Sequence, residues 1–178
     1  MSFQKYKFKK YNKNYPKLFA IEKRKLKKIL PKNAKIEHIG STSIPGLGGK
    51  GIIDLAISVK KSQMPSCIKK LEKSKYKYYK SKEPTKLRKY FEKAIKYNKK
   101  ERRIHLHLIY NENIVWQSFI AVRNYLKQNP QAVKKYAEIK KQASEKAKKD
   151  KKKYHKHKKD FIEEISKKGM KQKWKLKH

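Results

Sequence analysis

One window constrains the fold of this chain more than any other. It is IEHIGSTSIPGLGGKGIIDLAISV, residues 36–59, where two β-branched runs flank a glycine-rich turn. It holds five of the six glycines, a single lysine, and Asp54, one of only three aspartates in the chain. AKIEHIG reads as a short strand, residues 40–51 as a loop and GIIDLAISV as a second strand, since branched side chains suit a pleated surface better than a helix. Alternation puts Ile53, Leu55, Ile57 and Val59 on one face, with Asp54, Ala56 and Ser58 on the other. A carboxylate in such a run is costly to bury alone, so it faces a solvated cleft, holds a cation or meets a lysine.

The flanking sequence supplies the rest of a mixed architecture. Residues 1–14 are basic and aromatic, an arm or a short edge strand. YPKLFAIEKRKLKKIL reads as a helix with Pro16 in its first turn and Leu18, Phe19, Glu22, Leu26, Ile29 and Leu30 on one face; Pro31 stops it. MPSCIKKLEKS is expected to be helical with Ile68 and Leu71 inward, and residues 76–79 to form a strand. KLRKYFEKAI and RRIHLHLIY pair through KYNKKE. In the second of these, Ile104, Leu106 and Leu108 face the core, which puts Arg103, His105 and His107 together on the other side. From Asn113 the pattern turns helical: IVWQSFIAVRNYLKQ runs to Pro130, and one or two helices cover 131–168. The expected fold class is therefore α+β, a mixed sheet flanked by helices. Its divisions are a core at 1–112, a C-terminal helical layer at 113–168 and a frayed basic tail at 169–178.

Charge bears on partners rather than on fold. Lys and Arg number 53 against 14 acids, a net +39. Nucleic acid leads as the partner because each neutralised phosphate releases counterions; a general bias toward lysine, which far outnumbers arginine, accounts for part of the excess. Tyr125, Tyr136, Tyr154 and Trp174 interleave with lysine in the helical layer and suit base stacking or plain packing. One cysteine, Cys67, excludes an internal disulfide and a cysteine zinc site. No apolar run is long enough for a membrane span. A cytoplasmic protein is expected.

The loop itself has phosphate-binding chemistry. Glycines let backbone amides approach a ligand, and Ser41, Thr42, Ser43 and Lys50 add hydroxyls and a charge. It is not a P-loop, because position 44 is Ile and Lys50 precedes Gly51. A flexible surface turn is the plain alternative. HIGSTSIPGLGGKGIIDLAISV resembles the signature of the GrpB family. RRIHLHLIY, WQSFIAVRNYLKQNPQAVKKYAEIK and YHKHKKDFI are similar, in order, to that family's later motifs, and YPKLFAIEKRKL to its first helix.

The resemblance, over residues 15–168, implies the polymerase-β-like nucleotidyltransferase superfamily and its fold. Carried over, Gly40 and Ser41 grip a nucleoside triphosphate and Asp54 binds Mg²⁺ or Mn²⁺. The superfamily's second strand carboxylate is absent, since position 56 is Ala, and its helix Arg-Asp becomes Arg123-Asn124. Glu37, on the entering strand, is the nearest substitute acid. His105 and His107 are open to metal ligation, phosphate binding or general base catalysis, with His107 and Glu37 the further metal candidates. Lys50, Arg103 and Arg123 are the candidate phosphate-neutralising cations. The expected activity is transfer of a nucleotide from an NTP to an RNA 3′-hydroxyl, with tRNA the foremost acceptor. Non-catalytic RNA binding on the same fold and a coenzyme A-related small-molecule enzyme are the alternatives.

Overall fold

The computed structural model describes the backbone of residues 8–80, 85–146 and 151–175, with side chains left out at 143–157 and 173–175. Helix α1 spans Tyr15–Ile29, with Pro16 in its first turn. Strand β1 (Lys35–Ile39) leads through a 3-10 turn at Ser41–Ser43 and the glycine loop into β2 (Ile53–Val59). Helix α2 (Met64–Lys73) follows, then the short strand β3 (Lys77–Tyr78). The long strands β4 (Arg88–Tyr97) and β5 (Lys100–Tyr110) come next, and then α3 (Ile114–Gln128), α4 (Pro130–Lys146) and α5 (Lys151–Lys175). The sheet runs β1-β2-β5-β4-β3. Only β2 and β5 are parallel; every other pair is antiparallel. The mixed α+β class is the one the sequence implies.

Between β4 and β5 the turn is two residues, Asn98 and Lys99, with φ of 49° and 60°. Such a left-handed pair matches the twist of the flanking strands, so the hairpin closes with no slack. Its register sets Glu92 opposite His105, and β2 sets Asp54 against the same histidine.

The two sheet faces are covered differently. Leu18 and Leu26 of α1 and Cys67 and Leu71 of α2 bury one face against Leu55, Ile57, Phe91, Leu106 and Leu108. The inward residues of α2 are Met64, Cys67 and Leu71, with Ile68 only partly buried. Over the other face, Trp116 of α3 packs on Ile39, Ala56 and Ile109. Strand alternation therefore holds, yet the "polar" side of β2 is also buried at Ala56 and Ser58. Glu22, read from the sequence as part of the apolar stripe of α1, is fully buried. Its carboxylate accepts the Tyr76 hydroxyl, and Lys93 Nζ lies 3.5 Å away.

A third cluster joins Ile44 and Leu47 of the glycine loop to Leu126, Tyr136, Phe161 and Ile165. The helical layer thus grips the loop, which is not a flexible surface turn. Of the tail expected to fray at 169–178, residues up to Lys175 continue α5, with Gly169 buried against Ala121 of α3, and 176–178 lie outside the described residues. Residues 1–7 of the expected arm lie outside the described residues; Lys9 pairs with Gly49 as an isolated antiparallel bridge. No described helix is long and apolar enough to cross a membrane.

Candidate functional site

Gly40 sits at the end of β1 with φ 69°, a left-handed value that an L side chain adopts only with strain. A methyl group there would also lie 2.3 Å from Asp54 Oδ2. The backbone therefore lies directly against the carboxylate, and only glycine allows it. Ser41 follows at once. Asp54 of β2 thus lies against the glycine that ends β1, one residue before Ser41.

The three hydroxyls do not act alike. Thr42 Oγ1 lies 3.0 Å from His38 Nε2, and Ser43 Oγ donates to the Gly40 carbonyl at 2.7 Å. Both are buried and spent on holding the turn. His38 is itself held by stacking on Phe19, centroids 4.6 Å apart. Ser41 is the hydroxyl left for a ligand. A methyl group at Gly49 would lie 2.8 Å from Ser41 Oγ and 3.3 Å from Lys140 Nζ, so both polar atoms converge on the bare face of that glycine.

Lys140, from α4, is 9% exposed; its ammonium donates to the Gly48 carbonyl at 3.2 Å and sits 4.3 Å over the Tyr136 ring. Burial, with the charges of Lys158 and Lys50 adding and Asp54 opposing, brings its pKa down to about 7. The arm forms another wall: Lys9 exchanges backbone hydrogen bonds with Gly49, and Phe8 covers Gly48.

Across the sheet, Asp54, His105 and Glu92 form one row. His105 Nδ1 lies 3.4 Å from Asp54 Oδ1 and Nε2 3.7 Å from Glu92 Oε1, while Tyr90 donates to Glu92 at 2.8 Å. The Asp54 side chain is 22% exposed. Burial pushes its carboxyl up, but the hydrogen bond from His105, with the Lys158 charge among the further causes, outweighs that and holds it below the usual range. It is a carboxylate at neutral pH.

The other predicted residues lie elsewhere. Glu37 is tied to Arg123 Nη1 at 2.5 Å, and the same guanidinium donates to the His38 carbonyl at 3.1 Å, so this acid and this arginine clamp α3 to β1. His107 is buried between Tyr90 and Phe119, with Arg88 Nη1 3.2 Å from its Nδ1. Burial, reinforced by Arg88, lowers its pKa to about 3, so it is neutral. Arg103 is exposed on the hairpin beyond the row, and Lys50 is exposed beside the loop. Tyr136 is buried and Tyr125 partly so, both in the helical core; the side chains of Tyr154 and Trp174 lie outside the described residues. Among the described residues no three or more His, Cys, Asp or Glu groups are arranged to hold a metal ion.

Sequence reasoning missed Glu92, Lys140 and Lys158. The hairpin centre at Asn98-Lys99 already set Glu92 opposite His105. The two lysines end the Tyr…Lys portions of two family-like runs, but nothing else separates them from the many others.

The family described as GrpB protein matches residues 5–168. The glutamate-rich protein GrpB of Alkalihalophilus pseudofirmus is 30% identical over 158 residues, 87% of this chain and 90% of that protein. The UPF0157 protein YqkA of Bacillus subtilis is 33% identical over 133 residues, which are 74% of this chain but only 38% of YqkA. The crystal structure of the conserved protein GrpB from Enterococcus faecalis superposes with a TM-score of 0.79 at 31% identity, covering 94% of this chain and 99% of that one. In fold alone, a mutant of the Cid1 poly (U) polymerase bound to MgATP is similar, with a TM-score of 0.54 at 11% identity over 79% of this chain and 46% of the polymerase.

Proposed function

This chain belongs to the GrpB family and has a nucleotidyltransferase fold, and from that premise we propose that it transfers a nucleotide from an NTP to the 3′-hydroxyl of RNA. The observation that carries the reading is the convergence of Ser41 Oγ and Lys140 Nζ on the bare face of Gly49, with Asp54 set against Gly40 and acting electrostatically on Lys140.

A triphosphate fits there. Ser41 Oγ takes a phosphate oxygen, and Lys140, with Lys50 and Lys158 near it, balances the charge. Asp54 suits Mg²⁺ or Mn²⁺ arriving with the nucleotide, since these ions accept one carboxylate and complete their shell with phosphate oxygens and water. Bound there, the ion would neutralise charge on the transferring phosphate. Glu37 and His107 do not fit as ligands, being committed to Arg123 and Arg88. The MgATP bound to the fold neighbour accords with this nucleotide.

Glu92 orients His105 from β4, and Nδ1 faces the Asp54 side. In our reading the RNA hydroxyl gives its proton to this imidazole as its oxygen bonds to the α-phosphorus. The bond from that phosphorus to the bridging oxygen breaks, and pyrophosphate leaves. The +39 charge supports a polyanionic acceptor, with tRNA foremost as a compact one. Buried, unpaired Cys67 suits the reducing cytoplasm.

A second reading, RNA binding without chemistry, is favoured by one observation. Ala56, where a second acid would stand, is wholly buried under Trp116, so α3 leaves no space there.

Incubation with labelled NTPs, Mg²⁺ or Mn²⁺ and total tRNA tests the proposal. Label should enter the RNA with the native chain and vanish with Asp54→Ala. Transfer that survives this change would remove the catalytic reading.

A further inference from the structure

The hairpin outruns the sheet that carries it. Strand β2 pairs with β5 only from Ile104 onward, and β3 pairs with β4 only at Phe91 and Glu92. Beyond the Asp54–His105–Glu92 row, the chain continues as a two-stranded ribbon, with Ala94 opposite Arg103 and Lys96 opposite Glu101. Its two faces differ. Ile95 and Tyr97 pack toward the α1 side of the core, whereas Ala94, Lys96, Glu101 and Arg103 are all exposed. By strand alternation, this exposed face is the one that carries His105 and Glu92.

The surroundings of the row leave one way in. Toward the C-terminal end of β5 the face is closed by α3, whose Phe119 ring lies 5.1 Å from that of His107 and 5.8 Å from the Arg88 guanidinium. Toward β1, Trp116 packs on Ile39 and Ala56, and Gly40 lies against Asp54. The Ser41–Lys140 side belongs to the triphosphate. Among the described residues, the row stays open along the ribbon.

We propose that the 3′ end of a single-stranded RNA lies along this exposed ribbon face, with Arg103, Lys96 and Lys99 on successive phosphates and its terminal hydroxyl at His105. The direction of the strand rests on the nucleotidyl-transfer reading; the docking surface does not. Arg103 stands two residues from His105, about 7 Å along the strand, and the Lys96–Glu101 pair about 7 Å further, close to the step of an extended nucleotide. Contacts of this kind position a strand without reading its sequence, so the ribbon takes RNA of any composition. Arg103, which the sequence suggested as a triphosphate ligand, instead serves the acceptor.

Fluorescence anisotropy of a labelled single-stranded RNA decamer, with no nucleotide present, tests the surface. The double variant Lys96→Glu/Arg103→Glu should bind about tenfold or more weakly, and the slope of log affinity against log salt should fall by about 1.4 for two lost phosphate contacts. Lys17→Glu/Lys28→Glu, an equal charge change on exposed positions of α1, should alter affinity by less than about twofold at the same salt. Equal losses in the two variants would overturn the proposal, because a diffuse field would then explain binding. So would failure of the native chain to bind the decamer. Lys96→Gln/Arg103→Gln, with circular dichroism of every variant, guards against misfolding, and should show the same effect at smaller size. Photocrosslinking of 4-thiouridine at the penultimate nucleotide should label residues 88–110; labelling confined to α4 and α5 would contradict it. Binding of a fluorescent ATP analogue to the native chain is measured separately. Its absence would remove the nucleotidyl-transfer reading while the ribbon result still stood.

Discussion

Lys140 is a buried cation set against the glycine loop. Its ammonium is buried, donating to the Gly48 carbonyl and lying over the Tyr136 ring, and burial brings its pKa down to about 7, so its charge is weakened near neutral pH. A phosphate over Gly49 would restore that charge and gain a strong partner. Lys140→Met should therefore weaken triphosphate binding at least tenfold, about 1.4 kcal/mol. It should also leave the thermal midpoint of the ligand-free protein unchanged or raised, because no ammonium needs desolvating. Calorimetric titration and differential scanning calorimetry read the two effects, and undiminished binding would make the lysine a packing residue. The sequence pointed to Ser41 and Asp54, because a glycine and serine ending one strand and an acid on the next are rare together. It could not point to Lys140, because one lysine in a lysine-rich helix looks like its neighbours until the fold turns it inward. Glu37 misled for the opposite reason. Acids are scarce here, so each one draws attention, and a lone acid in such a chain readily finds an arginine.

Among the elements, α5 departs most from its sequence. Lysine interrupts its apolar positions, and the last ten residues offer few anchors, so fraying was the natural expectation. The structure supplies the missing anchor through a residue that promises none. At Gly169 a methyl group would lie 2.6 Å from the Ala121 carbonyl oxygen, and nearby Ser118 and Ser166 hydroxyls meet at 2.8 Å. The two backbones approach because no side chain keeps them apart. Gly169→Ala would gain up to about 1 kcal/mol of helix propensity. The clash should nonetheless leave a net loss of about 1–3 kcal/mol in urea unfolding; a gain in stability would mean that α5 shifts freely on α3. The β4–β5 hairpin was legible for the converse reason, since KYNKKE is centred on the residues that turn and the register follows from the centre. Alternation within β2 was equally clear. What covers each face was not, because a strand buried on both sides and one half-solvated can share a pattern.

For the molecule as a whole, buried His107 and partly buried His38 weaken the fold in acid. His38 and His107 have folded pKa values of about 4 and 3, both lowered chiefly by burial, against 6.5 for the free side chain. Between those values the unfolded chain binds more protons than the folded one, so stability is complete above about pH 6.5 and is lost as pH falls toward 4. Each histidine contributes at most about 1.4 kcal/mol per pH unit in that window. The urea midpoint should drop clearly between pH 7 and pH 5, and a flat midpoint would mean that neither ring is held neutral. Self-repulsion among 53 cationic side chains acts in the same direction and is screened by salt, whereas the histidine contribution is not. That charge predicted a polyanionic partner and left the fold untouched, as expected for a property of surfaces. The bridge between Lys9 and Gly49 has a practical side. An affinity tag or fusion placed just ahead of Phe8 would tether a foreign chain beside the glycine loop, so assays of nucleotide capture are better designed with the handle beyond α5.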